Sequence, residues 1–286
     1  MGRASKIRGI RDEIVELVAV IQVLKDMADN KFHLLAGQKD RFFRFGESFM
    51  DFFRLVSFLS VDHPLLRNDY PAVCILMVTS EGSFLGDINT KVVRAALEEK
   101  TKYPDSVLVT VGKKGPGLVG SSMKIEKTFE NTDANKYDAS MEVKDYLISG
   151  VMAKRFGAVV AIYPWPKNMN VIKPRIIKLL PCDELIGEEG QTADTLEGVI
   201  EESNPHDIIG YLGDMWISCR VYEMLYDMQI ASSAAQAQQL ESGLEKMKKE
   251  KKTIQLKYRV AQKADIDNSM REVFSSRMMT QKVRKK

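Results

Sequence analysis

Apolar residues recur at steps of three and four near both ends of the chain. The N-terminal repeat spans more than four heptads, with Lys31 in one slot, and comprises Ile7, Ile10, Ile14, Leu17, Ile21, Leu24, Ala28 and Leu35. The C-terminal repeat has Lys251 in one slot and comprises Leu240, Leu244, Met247, Ile254, Tyr258 and Ala261. This spacing is typical of helices that bury a narrow stripe against a partner helix. We therefore predict a coiled-coil seam that includes Ile14, Leu17, Ile21, Leu24, Leu244, Met247, Ile254 and Tyr258.

The distribution of proline supports two long terminal helices. All nine prolines lie between Pro64 and Pro205, and proline disrupts the interior of a helix. At about 1.5 Å per residue, each proline-free end could extend on the order of 75 Å. A helix of that length needs a partner along it. The pattern favours an antiparallel pair formed by the two ends, and the alternative is two separate bundle helices packed on the central segment.

The central segment has a different pattern. β-rich runs at 73–79, 107–111 and 158–163 alternate with helical stretches at 90–99 and 139–155. A further extended run at 171–180 follows a predicted turn at Pro164-Trp165-Pro166, and residues 187–205 are predicted to form an acidic surface loop. Strand–helix alternation predicts a mostly parallel sheet with helices on its faces. The expected fold is a Rossmann-like α/β domain at 65–204, with coiled-coil helices at 1–64 and 205–286.

Composition and charge exclude some classes of protein. Charged residues at 28% and hydrophobic ones at 44% argue against a disordered or membrane-embedded chain. No stretch reaches the ~18 apolar residues that a membrane span needs, and no signal peptide is expected. The net charge of +3 is unevenly distributed, because residues 246–286 contain 14 Lys and Arg but only 4 Asp and Glu.

Candidate chemistry is sparse. Residues 81–86 and 112–117 contain glycines after predicted strands, but neither matches a dinucleotide or P-loop motif, and Pro116 removes a backbone donor. Ser80 and Ser83 have no histidine nearby in sequence to act as a base. The three cysteines and three histidines lack metal-ligand spacing. We expect no catalytic residue, cofactor or metal, and no direct nucleotide binding.

Four stretches in order resemble the gamma subunit of F-type ATP synthases and ATPases. Residues 7–32 align without a gap on that family's opening helix, and 205–277 on its terminal helix. Between them, Val78-Thr79-Ser80-Glu81 with Leu85-Gly86 and Asn89 is similar to the family's strand–turn–helix. Gly112-Lys113-Lys114-Gly115 and Leu179-Leu180-Pro181 are similar to two later family motifs. The resemblance covers essentially the whole chain.

Several positions depart from the family pattern. The terminal helix has Ala231-Ser232 and Gln236-Ala237 where the family has Ser-Glu and Arg-Met. Its closing signature is replaced by Ile266-Asp267-Asn268-Ser269 and Ser275-Ser276-Arg277, and Ser83 and Leu85 replace the Gly and Cys of the strand turn. These departures indicate a divergent or paralogous member with altered partners.

The resemblance implies a central rotary shaft without catalytic residues. Its paired helices would sit in an alpha/beta hexamer, and its α/β domain would bind an epsilon-like subunit and a membrane rotor ring or a substitute. The implied hexamer sleeve contacts are Met270, Val273, Phe274, Met278 and Met279. The implied basic shaft face toward beta subunits is Lys25, Lys31, Lys251, Arg259 and Lys263. A peripheral location on the cytoplasmic face of a bacterial membrane follows, or an organellar inner membrane for a mature chain.

Two other functions stay open at this point. A coiled-coil adaptor could bind nucleic acid or acidic lipid through its basic tail, although aromatic residues there are few. No nucleic acid is expected if the chain is a shaft. A small-molecule α/β enzyme would need a polar constellation that the motifs do not provide.

Overall fold

The computed structural model describes residues 3–57, 62–82, 85–131, 135–182 and 204–283. Side-chain surroundings are described for 4–39, 62–82, 85–131, 135–182, 204 and 206–278. The elements in chain order are α1 (Arg3–Ser57), β1 (Val73–Val78), α2 (Ile88–Lys102), β2 (Val107–Val111), α3 (Lys114–Val119), β3 (Ile125–Phe129), α4 (Lys136–Met152), β4 (Ala158–Asn168), β5 (Val171–Leu180) and α5 (Pro205–Val283).

The chain divides into two compact units. One contains residues 1–27 and 237–286, and the other contains residues 28–236. The limits between these units fall inside the long helices α1 and α5. The sequence predicts domain limits at residues 64 and 204 instead. The two sets of limits differ because parts of α1 and α5 pack with the sheet and belong to the larger unit.

The larger unit is built on a five-stranded sheet with the order β3-β2-β1-β4-β5. β1 pairs in parallel with β2 and with β4, β2 pairs in parallel with β3, and β4 pairs antiparallel with β5. The predicted fold class, a mostly parallel Rossmann-like sheet between terminal helices, is confirmed. Parallel strands are buried on both faces, which explains the continuous apolar run of β1.

Alternate residues of β1 serve the two faces of the sheet. Cys74 and Leu76 pack in one core cluster with residues of α4 and α5, such as Leu147 and Ile217. Ile75 packs in a second cluster on the opposite face, where α2 contributes Val92, Val93 and Ala96. Because side chains alternate along a strand, one sequence run supports helices on both sides. The first segment of α5 is thus part of the domain core.

Three details differ from the sequence predictions. Pro164-Trp165-Pro166 lies inside β4, where Pro164 faces Pro174 of β5, and not in a turn. The reversal comes later, where Asn168 Oδ1 accepts from the backbone N–H groups of Asn170 and Val171 at 2.9 and 2.8 Å. The strand β3 and the short helix α3 were not predicted. The predicted acidic loop at 187–205 lies outside the described residues except at its last two positions.

Candidate functional site

Within the smaller unit, the two chain ends pair antiparallel. The Ala4 backbone N–H donates to Asp265 Oδ2 at 3.2 Å, and the Arg11 guanidinium lies 4.7 Å from the centroid of the Tyr258 ring. Further along α1, Lys25 Nζ lies 2.7 Å from Glu241 Oε2. Contacts move toward lower numbers on α5 as they move toward higher numbers on α1. The pairing is therefore antiparallel within this unit.

The α5 side of this pair follows the spacing of the sequence. Leu244 is only 1% exposed and Ala261 is buried, whereas Met247, Ile254 and Tyr258 are half-buried. Lys251 is also half-buried and occupies the slot expected for it. This stripe supplies the apolar contact of the helix pair.

The α1 side of the pair follows the predicted seam only at alternate positions. Ile14 is buried and Ile21 half-buried, but Ile10, Leu17 and Leu24 are each 46% exposed. Their places are taken by residues one position later, which are the half-buried Arg11, Val18 and Lys25. Between positions 7, 14 and 21, the next contact on a helix can lie three residues later (10, 17 and 24) or four residues later (11, 18 and 25). In this structure Arg11 contacts Tyr258 and Lys25 contacts Glu241, so the positions four residues later face α5.

Ile10, Leu17 and Leu24 of the predicted repeat form a second apolar stripe on α1 together with Val20 and Met27. It lies off the seam, and its members are 46–62% exposed: Ile10, Leu17, Val20, Leu24 and Met27. Contiguous exposed apolar surface of this kind is typical of a protein-binding surface. We call these five residues the N-terminal stripe. The heptad pattern of the sequence contains Ile10, Leu17 and Leu24, but it does not distinguish the covered side of the helix from the open side.

The end of α5 is a second exposed apolar surface. Met270, Val273, Phe274 and Met278 are all exposed, with Phe274 65% and Met278 69% accessible. The side chain of Met279 lies outside the described residues. We call the four described residues the C-terminal band. An aromatic ring and two methionines give this surface adaptable apolar contact.

The predicted basic face divides into two groups. The Lys25 side chain is only 23% exposed and forms an ion pair with Glu241. Its contact in this structure is therefore with the other helix of the pair. Lys251 is half-buried on the seam. Lys31, Arg259 and Lys263 are exposed, and Lys31 belongs to the larger unit. An electrostatic face toward a partner remains a prediction for these three.

The glycine turn after β2 is a packing motif of the sheet domain. Gly112 has φ +96°, and a Cβ there would lie 2.1 Å from the Thr79 carbonyl oxygen. The Gly112 N–H donates to Phe129 O at 2.8 Å, and the Gly115 N–H donates to Thr79 Oγ1 at 2.9 Å. A phosphate-binding loop needs free backbone N–H groups. These two donors are already used within the chain, which agrees with the absence of a nucleotide motif in the sequence.

Ser80 is held in a side-chain clasp. Its backbone N–H donates to Asn89 Oδ1 at 3.1 Å, and Asn89 Nδ2 donates back to Ser80 Oγ at 2.8 Å. Ser80 O also accepts from the Lys114 N–H at 3.2 Å. The clasp joins the end of β1 to the start of α2 and to α3. The matching residues in the family-like motif therefore have a structural role in this chain.

A buried ion pair joins α1 to α5 inside the larger unit. Lys39 Nζ lies 2.5 Å from Asp227 Oδ1, and Asp227 is fully buried. Burial raises the pKa of Asp227 to about 6, against the opposing effect of the Lys39 cation. At the preceding residue of α5, the Tyr226 hydroxyl donates to the Leu35 carbonyl at 3.1 Å and contacts Gln38 Oε1 at 2.8 Å. These polar contacts fix the register of the two helices beside the sheet.

The structure brings together two histidines that are far apart in sequence. The rings of His63 and His206 lie 4.5 Å apart between centroids. Sequence spacing gave no signal for this contact, because it depends on how the segment after α1 packs on α5. Among the described residues, no group of three or more His, Cys, Asp or Glu side chains is placed to hold a metal ion. Cys74, Cys182 and Cys219 form no disulfide with one another.

These features define a class of protein: a mostly parallel α/β domain between two long helices whose ends pair antiparallel. A family model described as ATP synthase matches residues 4–277. The chain belongs to the ATP synthase family, and its relatives place it among the gamma chains. The resemblance noted from the sequence is confirmed.

Curated relatives share modest identity over much of the chain. It is 22% identical over 283 residues to the ATP synthase gamma chain of Maridesulfovibrio salexigens, covering 94% of this chain and 97% of that one. It is 25% identical over 187 residues to the gamma chain of Desulforudis audaxviator, covering 61% of this chain and 63% of that relative. The low identity agrees with a divergent member.

Solved structures share the fold. A chain of the Euglena gracilis mitochondrial ATP synthase, from an OSCP/F1/c-ring structure in rotational state 3, has a TM-score of 0.65 at 13% identity, covering 97% of this chain and 94% of that one. A chain of the Tetrahymena thermophila mitochondrial ATP synthase central stalk and c-ring has a TM-score of 0.59 at 13% identity, covering 78% and 99%. The comparisons give no support to the hypothesis of a nucleic-acid or lipid adaptor.

Proposed function

We propose that this chain is the central rotary shaft of an F-type ATP synthase or ATPase. It couples ATP synthesis or hydrolysis in an alpha/beta hexamer to rotation of a membrane-side rotor partner. The family match over residues 4–277 carries the proposal. The antiparallel pairing of the chain ends supports it, because a shaft must resist twisting along its length. α1 and α5 are each continuous helices, so torque passes through unbroken backbone.

Coupling between the shaft and the nucleotide sites is a matter of differential binding. If hexamer sites contact different sides of an asymmetric helix pair, nucleotide affinity depends on the shaft angle. This coupling free energy is reciprocal, so hydrolysis turns the shaft and forced rotation changes the sites. The chain itself contributes no catalytic residue, and its partners carry the nucleotide chemistry.

The exposed apolar surfaces of the smaller unit are the proposed contacts with the hexamer. The C-terminal band, with Met279, would turn within an apolar sleeve, where few directional hydrogen bonds would resist rotation. The N-terminal stripe adds a second apolar surface on the other helix of the pair. The two surfaces differ, so each nucleotide site of the hexamer would meet a different side of the helix pair. A shaft with the same surface on every side could not give the sites different nucleotide affinities.

Exposed cations of the shaft supply a weaker, salt-sensitive contact. Arg259 and Lys263 are exposed on α5, and Lys31 is exposed on α1. Acidic levers of beta subunits are the partners that such cations fit, as solvent-screened charges. Lys25 and Lys251 contribute through the helix pair.

The α/β domain is the proposed foot. It would bind an epsilon-like subunit and a membrane rotor ring, or a substitute for that ring in a specialised complex. The chain would then be peripheral to the membrane, on the cytoplasmic face of a bacterial cell or on an organellar inner membrane. In the described part of the chain, no helix is both long and apolar enough to cross a bilayer.

Co-purification tests this proposal. An affinity-tagged full-length chain is isolated from native membranes, and the bound proteins are identified by mass spectrometry. The shaft proposal requires alpha- and beta-type subunits in a three-to-three ratio with one copy of this chain. Recovery of the chain with nucleic acid or lipid alone, without those subunits, would refute it.

A further inference from the structure

Residues 63–67 form a tight turn that docks on the first turns of α5. The backbone N–H groups of Leu66 and Arg67 both donate to the His63 carbonyl, at 2.9 and 3.0 Å. Leu65 and Leu66 are buried in the core cluster that includes Ile209 of α5. The turn thus anchors the segment that follows α1 to the start of the last helix.

Two glycines of α5 make room for this turn. A Cβ at position 213 would lie 2.9 Å from Leu65 Cδ1, and one at position 210 would lie 3.5 Å from His63 Nε2. On the other side, the Cys182 N–H donates to the Leu65 carbonyl at 2.7 Å. His63 is therefore enclosed, and it is only 3% exposed.

The hydrogen bonding of His63 specifies its neutral form. Its Nδ1 accepts from the Leu65 backbone N–H at 3.2 Å. A protonated imidazole has a donor at both nitrogens and no acceptor, so protonation breaks this bond and sets two donors against each other. The same hydrogen bond disfavours a metal at Nε2, because metal-bound histidines normally donate their other N–H group.

The surroundings of His63 oppose a positive charge. The His206 ring lies 4.5 Å away at the start of α5, where the helix dipole is positive. Burial, followed by the charge on His206, lowers the pKa of His63, and the Asp62 carboxylate on the same segment acts in the opposite sense. The same two elements also carry Asp207, in the first turn of α5, and Arg67, whose backbone N–H donates to the His63 carbonyl. The two cations of a doubly protonated pair would repel each other at this separation, with His63 buried and His206 exposed.

We propose that the His63–His206 contact is an acid-sensitive latch that strengthens the docking of residues 63–67 on α5 at neutral pH and weakens it at mildly acidic pH. In the docked turn, His63 resists protonation; in an undocked turn, it would be protonated below the ordinary histidine pKa of about 6.5. The neutral histidine therefore stabilises the docked turn above that pH, and this stabilisation is lost as the pH falls below it. The latch therefore makes the link between the end of α1 and the start of α5 sensitive to the pH around the complex.

Amide hydrogen exchange on the full-length chain tests the latch. Protection factors, corrected for the intrinsic pH dependence of exchange, are measured for the amides of residues 65–67 at pH 7.5 and 5.5. In the wild type we expect protection to fall by up to about tenfold, the factor for one histidine excluded from protonation. Unchanged protection in the wild type would overturn the proposal.

Three single variants separate the latch from general acid effects. His63→Asn keeps a side-chain acceptor for the Leu65 N–H, as Asn68 and Asn204 do for the amides two residues after them. It should abolish the acid-induced loss, and His206→Gln should reduce it. His33→Gln, at an exposed histidine on α1, should behave as the wild type. A wild-type acid response in His63→Asn would contradict the latch.

A second measurement holds even if His63→Asn does not fold. The chain has only three histidines, so their ring proton signals can be followed by NMR across a pH titration. We expect the pKa of His63 to lie below the ordinary histidine value, and His206→Gln to move the His63 midpoint upward. A His63 midpoint that is insensitive to His206→Gln would overturn the proposed coupling.

Discussion

Lys25 Nζ lies 2.7 Å from Glu241 Oε2, so Lys25 lies on the side of α1 that faces α5 in the smaller unit. With Lys25 on the contact, the preceding residue Leu24 is turned out to solvent. A pair that is partly exposed contributes only about 0.2–1 kcal/mol. The side of α1 that this contact covers leaves the N-terminal stripe open.

The phase of the seam predicts unequal costs for equal truncations. Leu244→Ala removes a buried side chain and should destabilise the helix pair by about 2–5 kcal/mol, whereas Leu17→Ala should change stability by less than about 0.5 kcal/mol. Urea unfolding followed by circular dichroism measures both. If Leu17→Ala lowered the free energy of unfolding as much as Leu244→Ala does, Leu17 would belong to the seam as the heptad pattern predicts.

The buried carboxylate of Asp227 should make stability depend on pH. Its folded pKa of about 6 lies above the ordinary value of 3.8, so the folded state holds a proton more tightly. The stabilising effect is complete below the ordinary pKa and is lost as the pH rises through 6. Relative to Asp227→Asn, the wild type should lose roughly 2–3 kcal/mol of unfolding free energy between pH 4 and 7.

Lys39→Met provides the companion variant. Removing the cation that opposes the effect of burial should raise the pKa of Asp227 further and move the loss of stability to higher pH. Chemical unfolding across this pH range gives all three profiles. Parallel profiles for the wild type and Asp227→Asn would show that Asp227 does not titrate in this window.

The turn after β2 predicts a contrast between two glycines. Gly112→Ala should destabilise the sheet domain by several kcal/mol or prevent folding, because its Cβ would overlap the Thr79 carbonyl at a positive φ. Gly117→Ala, where a Cβ meets no atom within 4 Å, should be neutral or slightly stabilising. Thermal unfolding of the two variants compares them directly, and equal melting temperatures would refute the packing account of the turn.

The C-terminal band predicts a defect in assembly and not in folding. Replacing Phe274 and Met278 with Asp should leave the α/β domain folded, because both side chains are exposed, but weaken binding to the hexamer at least about tenfold. Ser275→Asp with Ser276→Asp adds the same charge at exposed neighbouring positions and serves as the control. Binding is measured by co-purification with alpha and beta subunits. Unchanged binding of the Phe274 and Met278 variant would exclude the sleeve role.

Much of the fold follows from the sequence because its signals are local. The buried strand β1, the helices around it and the spacing on α5 all follow from apolar periodicity. β3 was missed because Glu126, Lys127 and Thr128 give an edge strand little apolar signal. Pro164 and Pro166 suggested a turn, but both lie within β4. Pro164 faces Pro174 of β5, and proline is accepted in a strand where its position donates no hydrogen bond to the neighbouring strand.

The candidate surfaces were harder to predict, because they depend on contacts between distant residues. The heptad pattern contained Leu17 and Leu24, but the partner helix decides which side of α1 is covered. Likewise, nothing in sequence links His63 to His206, since 143 positions separate them and the contact forms only when the turn docks on α5. Local patterns specify elements, and tertiary packing selects which of their faces remain open.

Single-molecule rotation tests the shaft directly. Hexamers of the source organism's alpha and beta subunits are immobilised with this chain bound, and a bead is attached through a cysteine introduced at the exposed Tyr137, with Cys219→Ser to prevent labelling elsewhere. On addition of ATP we predict stepwise rotation of the bead in one direction. A bead that stays fixed, or that moves without a preferred direction while ATP is hydrolysed, would contradict the account.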